Sequence, residues 1–156
     1  MGEATIFETA PDAFSLRTHT QLRSINLASF PILYNEAFYK GVCLHPEHSR
    51  YAYWKGQVVG AVCTQLDPKD GTLYIMTLAV LAAYRSRGIG SQLLQSVLEY
   101  CKDHKIPMIK LHVHIINEDA IRFYTERFGF TKGDLVENYY RRIDPPHCYL
   151  LYKRLL

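Results

Sequence analysis

The segment Tyr74-Ile75-Met76-Thr77-Leu78-Ala79-Val80, followed by Tyr84-Arg85-Ser86-Arg87-Gly88-Ile89-Gly90, reads as strand, turn and helix start. Thr72 to Val80 is rich in β-formers. From Gly88 to His104, Ile89, Leu93, Leu94, Val97, Leu98 and Cys101 recur on one helical face. The first amides of a helix have no intrahelical partner and point outward, and the helix dipole adds partial positive charge. Together they make an anion site. Gly88 and Gly90 let a bulky diphosphate come close to the backbone, and Arg85 and Arg87 add charge. Alone, R-x-x-G-x-G is a weak motif, because two glycines also ease a tight turn. The strand before it and the helix after it strengthen the reading. Neither G-x-x-x-x-G-K-[ST] nor G-x-G-x-x-G occurs.

Outward from this unit, Tyr51 to Leu66 predicts a hairpin: a strand at 51–54, a turn at Lys55-Gly56-Gln57 and a strand at 58–63. Asp67 to Gly71 reads as a second turn. Met108 to Ile115 reads as a strand. Asn117 then caps a helix running through Phe128, with Ala120, Ile121, Tyr124 and Phe128 on its inner face and Gly129 as its stop. Two last strands, 130–137 and 147–155, are divided by Asp144-Pro145-Pro146. Upstream, Leu16 to Leu27 gives a rough helical pattern that ends before Phe30-Pro31. Asn35 suits the cap of a short helix carrying Phe38 and Tyr39. Residues 1–13 read as a loose arm with room for a short first strand. A β-meander, then βαβ, then a helix and a closing hairpin describe an α/β chain of mixed, α+β type, with helices on both faces of a mixed sheet.

The 156 residues suit a single domain, residues 1–156, large enough to fold without staples. With 48% apolar and 13% aromatic residues, the chain is a folded globule rather than a disordered segment. A net charge of +3 suits an anionic small molecule but is too weak to point to DNA or RNA, so no direct nucleic-acid partner is expected. No apolar run is long enough to cross a bilayer, so no membrane partner is expected. The start Met1-Gly2-Glu3-Ala4-Thr5-Ile6 has no signal-peptide core, and Ile6 stands where myristoylation needs Ser or Thr. The expected location is the cytoplasm, with the nucleus open. Cys43, Cys63, Cys101 and Cys148 form no C-x-x-C pair and read as reduced thiols. His45-Pro46-Glu47-His48 lacks a third ligand, so no metal site is expected.

The motif Arg85-x-x-Gly88-x-Gly90 resembles the pyrophosphate motif, Q/R-x-x-G-x-G/A, of the GNAT superfamily of acetyl-CoA-dependent acetyltransferases. The resemblance implies a GNAT-like fold with a central splayed sheet and a bulge near Leu78–Val80. It implies acetyl-CoA held by Leu78, Ala79, Val80, Arg85, Ser86, Arg87, Gly88, Ile89, Gly90 and Ser91. Further segments narrow the branch: Phe30-Pro31-Ile32-Leu33-Tyr34, Tyr74-Ile75-Met76-Thr77, Leu111-His112-Val113, Asn117 to Tyr124, and Asn138-Tyr139-Tyr140. Taken jointly over residues 20–155, they closely resemble the catalytic subunits of N-terminal acetyltransferase E. That branch implies an enzyme acting on the α-amine of a protein N-terminus, typically one that keeps its initiator methionine. It implies a groove of Phe30, Pro31, Ile32, Tyr34, Met76, Tyr139 and Tyr140, a catalytic pair Tyr74 and His112, and cofactor contacts from Asn117 and Tyr124. It also implies docking on the auxiliary subunit of N-terminal acetyltransferase A at the ribosome. Ile32 and Leu33 stand where the branch has smaller residues, and His114 where it has a polar amide.

The chemistry fits these residue types. An α-amine has a pKa of about 8, so roughly a tenth is neutral at pH 7, against less than about a thousandth of a lysine. A histidine near pKa 6.5 suits the base. Tyr74 needs either a lowered pKa or a water that it orients, and a water relay held by both residues is favoured. Tyr124 suits a donor to the leaving thiolate, and amides near Leu78–Val80 suit the oxyanion. No cysteine sits in a nucleophile setting, which disfavours a covalent acetyl-enzyme. The competing readings are a lysine or small-amine acetyltransferase, which should carry an acidic groove, and a non-catalytic acetyl-CoA-binding subunit.

Overall fold

A computed structural model describes residues 5–8, 25–26, 29, 37–38, 41 and 45–156. The chain groups into two compact units. The first holds residues up to Gln65 and from Ile75 to His104; the second holds Leu66–Tyr74 and Lys105–Leu156.

In the first unit the strands follow the order β1 (Thr5–Glu8), β2 (Arg50–Trp54), β3 (Gln57–Leu66) and β4 (Leu73–Val80). β1 is the short strand expected in the N-terminal arm. β2 and β3 form the predicted hairpin, with a tighter loop: Lys55 and Gly56 both have positive φ, at 49° and 81°, and Gln57 already pairs with Trp54. Two successive positive φ angles are what a two-residue hairpin with the right strand twist demands. Helix α1 (Ile89–Asp103) presents the expected stripe. Leu93, Leu94, Val97 and Cys101 are fully buried and Ile89 nearly so, while Leu98 is only partly covered. Each fully buried leucine or valine contributes about 1.5–3 kcal/mol of transfer free energy. Gly60 on β3 permits the packing beneath, since a Cβ there would lie 3.0 Å from the Ala79 carbonyl and 3.3 Å from Leu93. A separate cluster joins Ile25, Phe38, Tyr51, Ala61, Cys63 and Ala79. Ile25 and Phe38 are helical, as the upstream patterns predict. Asn35, Tyr39 and most of the two stretches predicted as helical lie outside the described residues.

In the second unit the order is β4, β5 (Met108–His114), β7 (Cys148–Arg154) and β6 (Thr131–Val136). β4 contributes its first residues and pairs with β5 in parallel at only two positions, Leu73 with Ile109 and Tyr74 with Lys110. β5 and β7 pair antiparallel along their full lengths, and β7 carries β6. Parallel and antiparallel pairing together give the expected mixed sheet.

One element departs from the periodic reading. The predicted 117–128 helix is a short α2 (Glu118–Arg122) that widens into a π turn, Phe123–Arg127. Asn117 caps it as expected, its Oδ1 accepting from the Ala120 amide at 3.2 Å. The wider turn buries Tyr124 to 5% exposure and leaves Ala120, Ile121 and Phe128 only half-covered. A π turn inserts an extra residue per turn and rotates the residues after it, so a strict 3.6-residue repeat misplaces the inner face.

Candidate active site

The turn after β4 has the shape an anion requires. Gly88 is the N-cap of α1 with φ 80°, and no side chain caps the helix. A Cβ on Gly88 would meet open space, so the backbone is accessible there. Ser86 also has positive φ, 63°, which turns the chain sharply ahead of the helix. The two arginines divide their work. Arg85 Nε donates to the Val80 carbonyl at 2.9 Å, bracing the turn. The Arg87 guanidinium lies 5.7 Å from the Trp54 ring and 5.6 Å from the Tyr84 ring. Both side chains stay exposed, so their charge still faces solvent near the helix start.

The expected pair, Tyr74 and His112, lies within the second unit. β4 alternates buried and half-buried residues, with Tyr74, Met76, Leu78 and Val80 on the more open face. On β5 the corresponding face carries Met108, Lys110, His112 and His114. The Tyr74 hydroxyl lies 2.6 Å from His112 Nδ1. Burial pushes the Tyr74 phenol well above its ordinary value, and the neighbouring Tyr139 hydroxyl adds to the rise. Burial, helped by the Lys110 ammonium, pulls His112 below its ordinary value. Both shifts favour the uncharged side chains. With the ring proton on Nε2, Tyr74 donates and Nδ1 accepts. That upward shift disfavours phenolate formation at Tyr74, one of the two routes open from sequence. Tyr139 packs on the His112 ring at 4.5 Å between centroids, and its hydroxyl lies 3.5 Å from that of Tyr74. Tyr139 remains 41% exposed, which leaves this edge of the pair open to a ligand.

The family model for the Acetyltransferase (GNAT) family matches residues 14–130. The chain belongs to the GNAT acetyltransferase family. N-alpha-acetyltransferase 50 of Danio rerio is 45% identical over 86% of this chain and 82% of its own. The probable N-acetyltransferase san of Drosophila melanogaster is 41% identical over 86% and 74%. Among solved structures, Arabidopsis thaliana Naa50 in complex with the bisubstrate analogue CoA-Ac-MVNAL matches with a TM-score of 0.87 and 37% identity, over 99% of this chain and all of that one. The fold is therefore the GNAT fold expected from the Arg85–Gly90 motif.

The remaining expected positions of this GNAT chain divide between described and undescribed residues. Met76 packs against the Ile25–Phe38–Tyr51 cluster and stays partly exposed. Phe30, Pro31, Ile32 and Tyr34 lie outside the described residues, as does Leu33. Tyr140 stands beside Tyr139, with ring centroids 5.1 Å apart, and burial pushes its phenol up to about 12. Tyr124 is enclosed by Phe123 and Phe130, at 5.1 and 5.3 Å, and burial raises its phenol strongly. Cys63, Cys101 and Cys148 are buried thiols. Burial raises Cys101 to about 12 and Cys148 to about 11, so neither is a thiolate nucleophile near neutrality. In the 45–48 segment the buried His48 ring bonds to Thr64 Oγ1 at 2.7 Å, while His45 faces Glu47 at 3.7 Å.

Sequence reasoning missed Lys110. It stands opposite Tyr74 in register, two residues before His112, and lies 3.9 Å from Asp70. Period-two spacing placed it on the face of His112, and that signal was available. His147 was missed as well, and no local pattern distinguishes it.

Proposed function

We propose that this protein transfers the acetyl group of acetyl-CoA to the free α-amine of a protein N-terminus, one that keeps its initiator methionine. The observation that carries the reading is the 2.6 Å bond between Tyr74 and His112 Nδ1 on the open faces of β4 and β5. The names of the relatives, and the bisubstrate analogue CoA-Ac-MVNAL in the Arabidopsis complex, support the acceptor class.

Acetyl-CoA supplies the thioester carbon that the amine attacks and a thiolate that departs. Gly88, open above its backbone and uncapped, suits the diphosphate; Ile89, Gly90 and Ser91 supply the next amides of the helix start, with charge from Arg85 and Arg87. The Leu78–Val80 backbone suits the pantetheine arm and the acyl oxygen. Tyr74 and His112 handle the proton. In this relay the His112 ring carries its proton on Nε2, so Tyr74 Oη donates to Nδ1 and accepts through its own lone pairs. The amine proton passes through an ordered water to Oη, while Oη gives its own proton to Nδ1. Tyr74 ends as it began, and His112 ends as imidazolium. An α-amine is already about one tenth neutral at pH 7, so a histidine held below pKa 6.5 is base enough. Tyr124, held protonated, donates a hydrogen bond to the leaving sulfur rather than its proton. Asn117 keeps its amide nitrogen for the cofactor while Oδ1 caps α2. The family resemblance assigns peptide contacts to Tyr139 and Tyr140, and likewise to Met76, Phe30, Pro31, Ile32 and Tyr34. A cytoplasmic enzyme docked on the auxiliary subunit of N-terminal acetyltransferase A would meet such N-termini as they leave the ribosome.

The test is a panel of short peptides that vary in the first two residues, each with a free or blocked α-amine and an internal lysine. Acetylation of Met-initiated peptides that disappears on blocking supports the reading. Acetylation indifferent to blocking reassigns the enzyme to the lysine class.

A further inference from the structure

His114 is the residue that neither the base nor the cofactor accounts for, and its surroundings are specific. Its Nε2 lies 2.6 Å from the Pro145 carbonyl oxygen. A carbonyl only accepts, so Nε2 carries the proton and donates. The edge of its ring meets Tyr140 at 5.3 Å and 89°. A second histidine holds the same loop from its other end. His147 Nδ1 accepts from the Asn138 amide at 3.0 Å, just where Asn138 takes a positive φ of 55° to leave β6. Between them the Tyr140 amide donates to the Pro146 carbonyl at 2.9 Å. The segment from Asn138 to His147 is thus closed by one histidine that donates a hydrogen bond and one that accepts one. It carries Tyr139, whose ring rests on His112, and Tyr140.

We propose that His114 and His147 are positioning residues for the peptide side of the site. They hold the 138–147 loop so that Tyr139 stays on His112 and Tyr140 stays beside it. The proposal rests on the reading of Tyr139 and Tyr140 as peptide-groove residues. Neither histidine touches the reacting atoms. Losing either should raise the peptide KM while leaving acetyl-CoA affinity and kcat near their wild-type values.

The experiment is steady-state kinetics on the full chain, with a Met-initiated peptide and acetyl-CoA varied in turn. His114→Ala and His147→Leu should each raise the peptide KM by about 2- to 12-fold, the range for one lost hydrogen bond. His114→Gln retains an N–H for Pro145, and His147→Asn retains an acceptor for Asn138. Both should return KM to within about 2-fold of wild type. His114→Phe keeps the ring against Tyr140 but loses the donor, and should behave as His114→Ala. A fall in kcat with unchanged peptide KM overturns the proposal, as does failure of the Gln and Asn variants to rescue. A wild-type KM in His114→Phe also overturns it, because packing alone would then suffice. Should His114→Ala fold poorly, the Gln-against-Phe comparison decides alone. The wild-type chain tests the acetyltransferase reading by itself, so an inactive wild type and an unresponsive loop are separate results.

Discussion

The turn at Arg85–Gly90 and the patch around Tyr74 and His112, both assigned to the proposed reaction, are built from different materials. The turn is made of backbone: Gly88 in the left-handed region and the free amides of α1. All its parts lie within a few residues of one another. The patch is made of side chains, and Tyr74 and His112 stand 38 residues apart in sequence. The turn therefore depends on local conformation. The patch depends on the parallel pairing of β4 with β5, which stops after Tyr74. A motif can announce a backbone site, whereas a side-chain site exists only once two strands have met.

If that contrast is right, the two regions should fail differently. The largest effect belongs to the patch. His112→Ala should lower kcat by about 10²- to 10⁴-fold, with acetyl-CoA affinity unchanged in a calorimetric titration. Tyr74→Phe, which removes the relay hydroxyl but keeps the ring, should fall within the same range. Turnover near wild type in both would remove the pair from the chemistry. The turn should fail in binding instead. Gly88→Ala forces a Cβ into a left-handed conformation at a cost of about 1–2 kcal/mol. The helix start should shift to relieve it and weaken acetyl-CoA by roughly 5- to 30-fold, with kcat at saturation little changed. A loss of kcat without loss of affinity would erase the contrast.

The smallest effect sharpens the patch. Burial and the Lys110 ammonium both disfavour the imidazolium of His112, so its folded value lies below its ordinary ~6.5. The base is active when neutral, so kcat/KM, corrected for the neutral fraction of the α-amine, should fall as pH drops through that lowered value and stay level through neutrality. Lys110→Gln removes one cause of the lowering. The acid limb should then move to higher pH by a fraction of a unit, and a limb that does not move would leave burial as the whole cause.

Much of this was legible before the strands met. The alternating Leu73–Val80 segment, the α1 stripe from Ile89 to Cys101 and the hairpin about Gly56 arise from repeat and propensity, which a linear chain displays. The Arg85 side chain turned to the Val80 carbonyl instead of lying free, because a tight turn offers it an unpaired acceptor nearby. The helix after Asn117 widened at Phe123, because the burial of Tyr124 overrode a regular repeat. The direction of the Tyr74 shift was not legible either, because it arises from the groups that surround the phenol.

The order of residues alone determined the βαβ unit, the anion-ready start of α1 and the face on which each candidate side chain stands. Those properties come from backbone sterics and from spacings of two and 3.6 residues. The tertiary structure alone decided which hydroxyl meets which ring nitrogen and which way burial shifts each of them. It also set two histidines as the ties of the tyrosine loop. Burial and hydrogen bonding act through space, between groups that the chain itself keeps far apart.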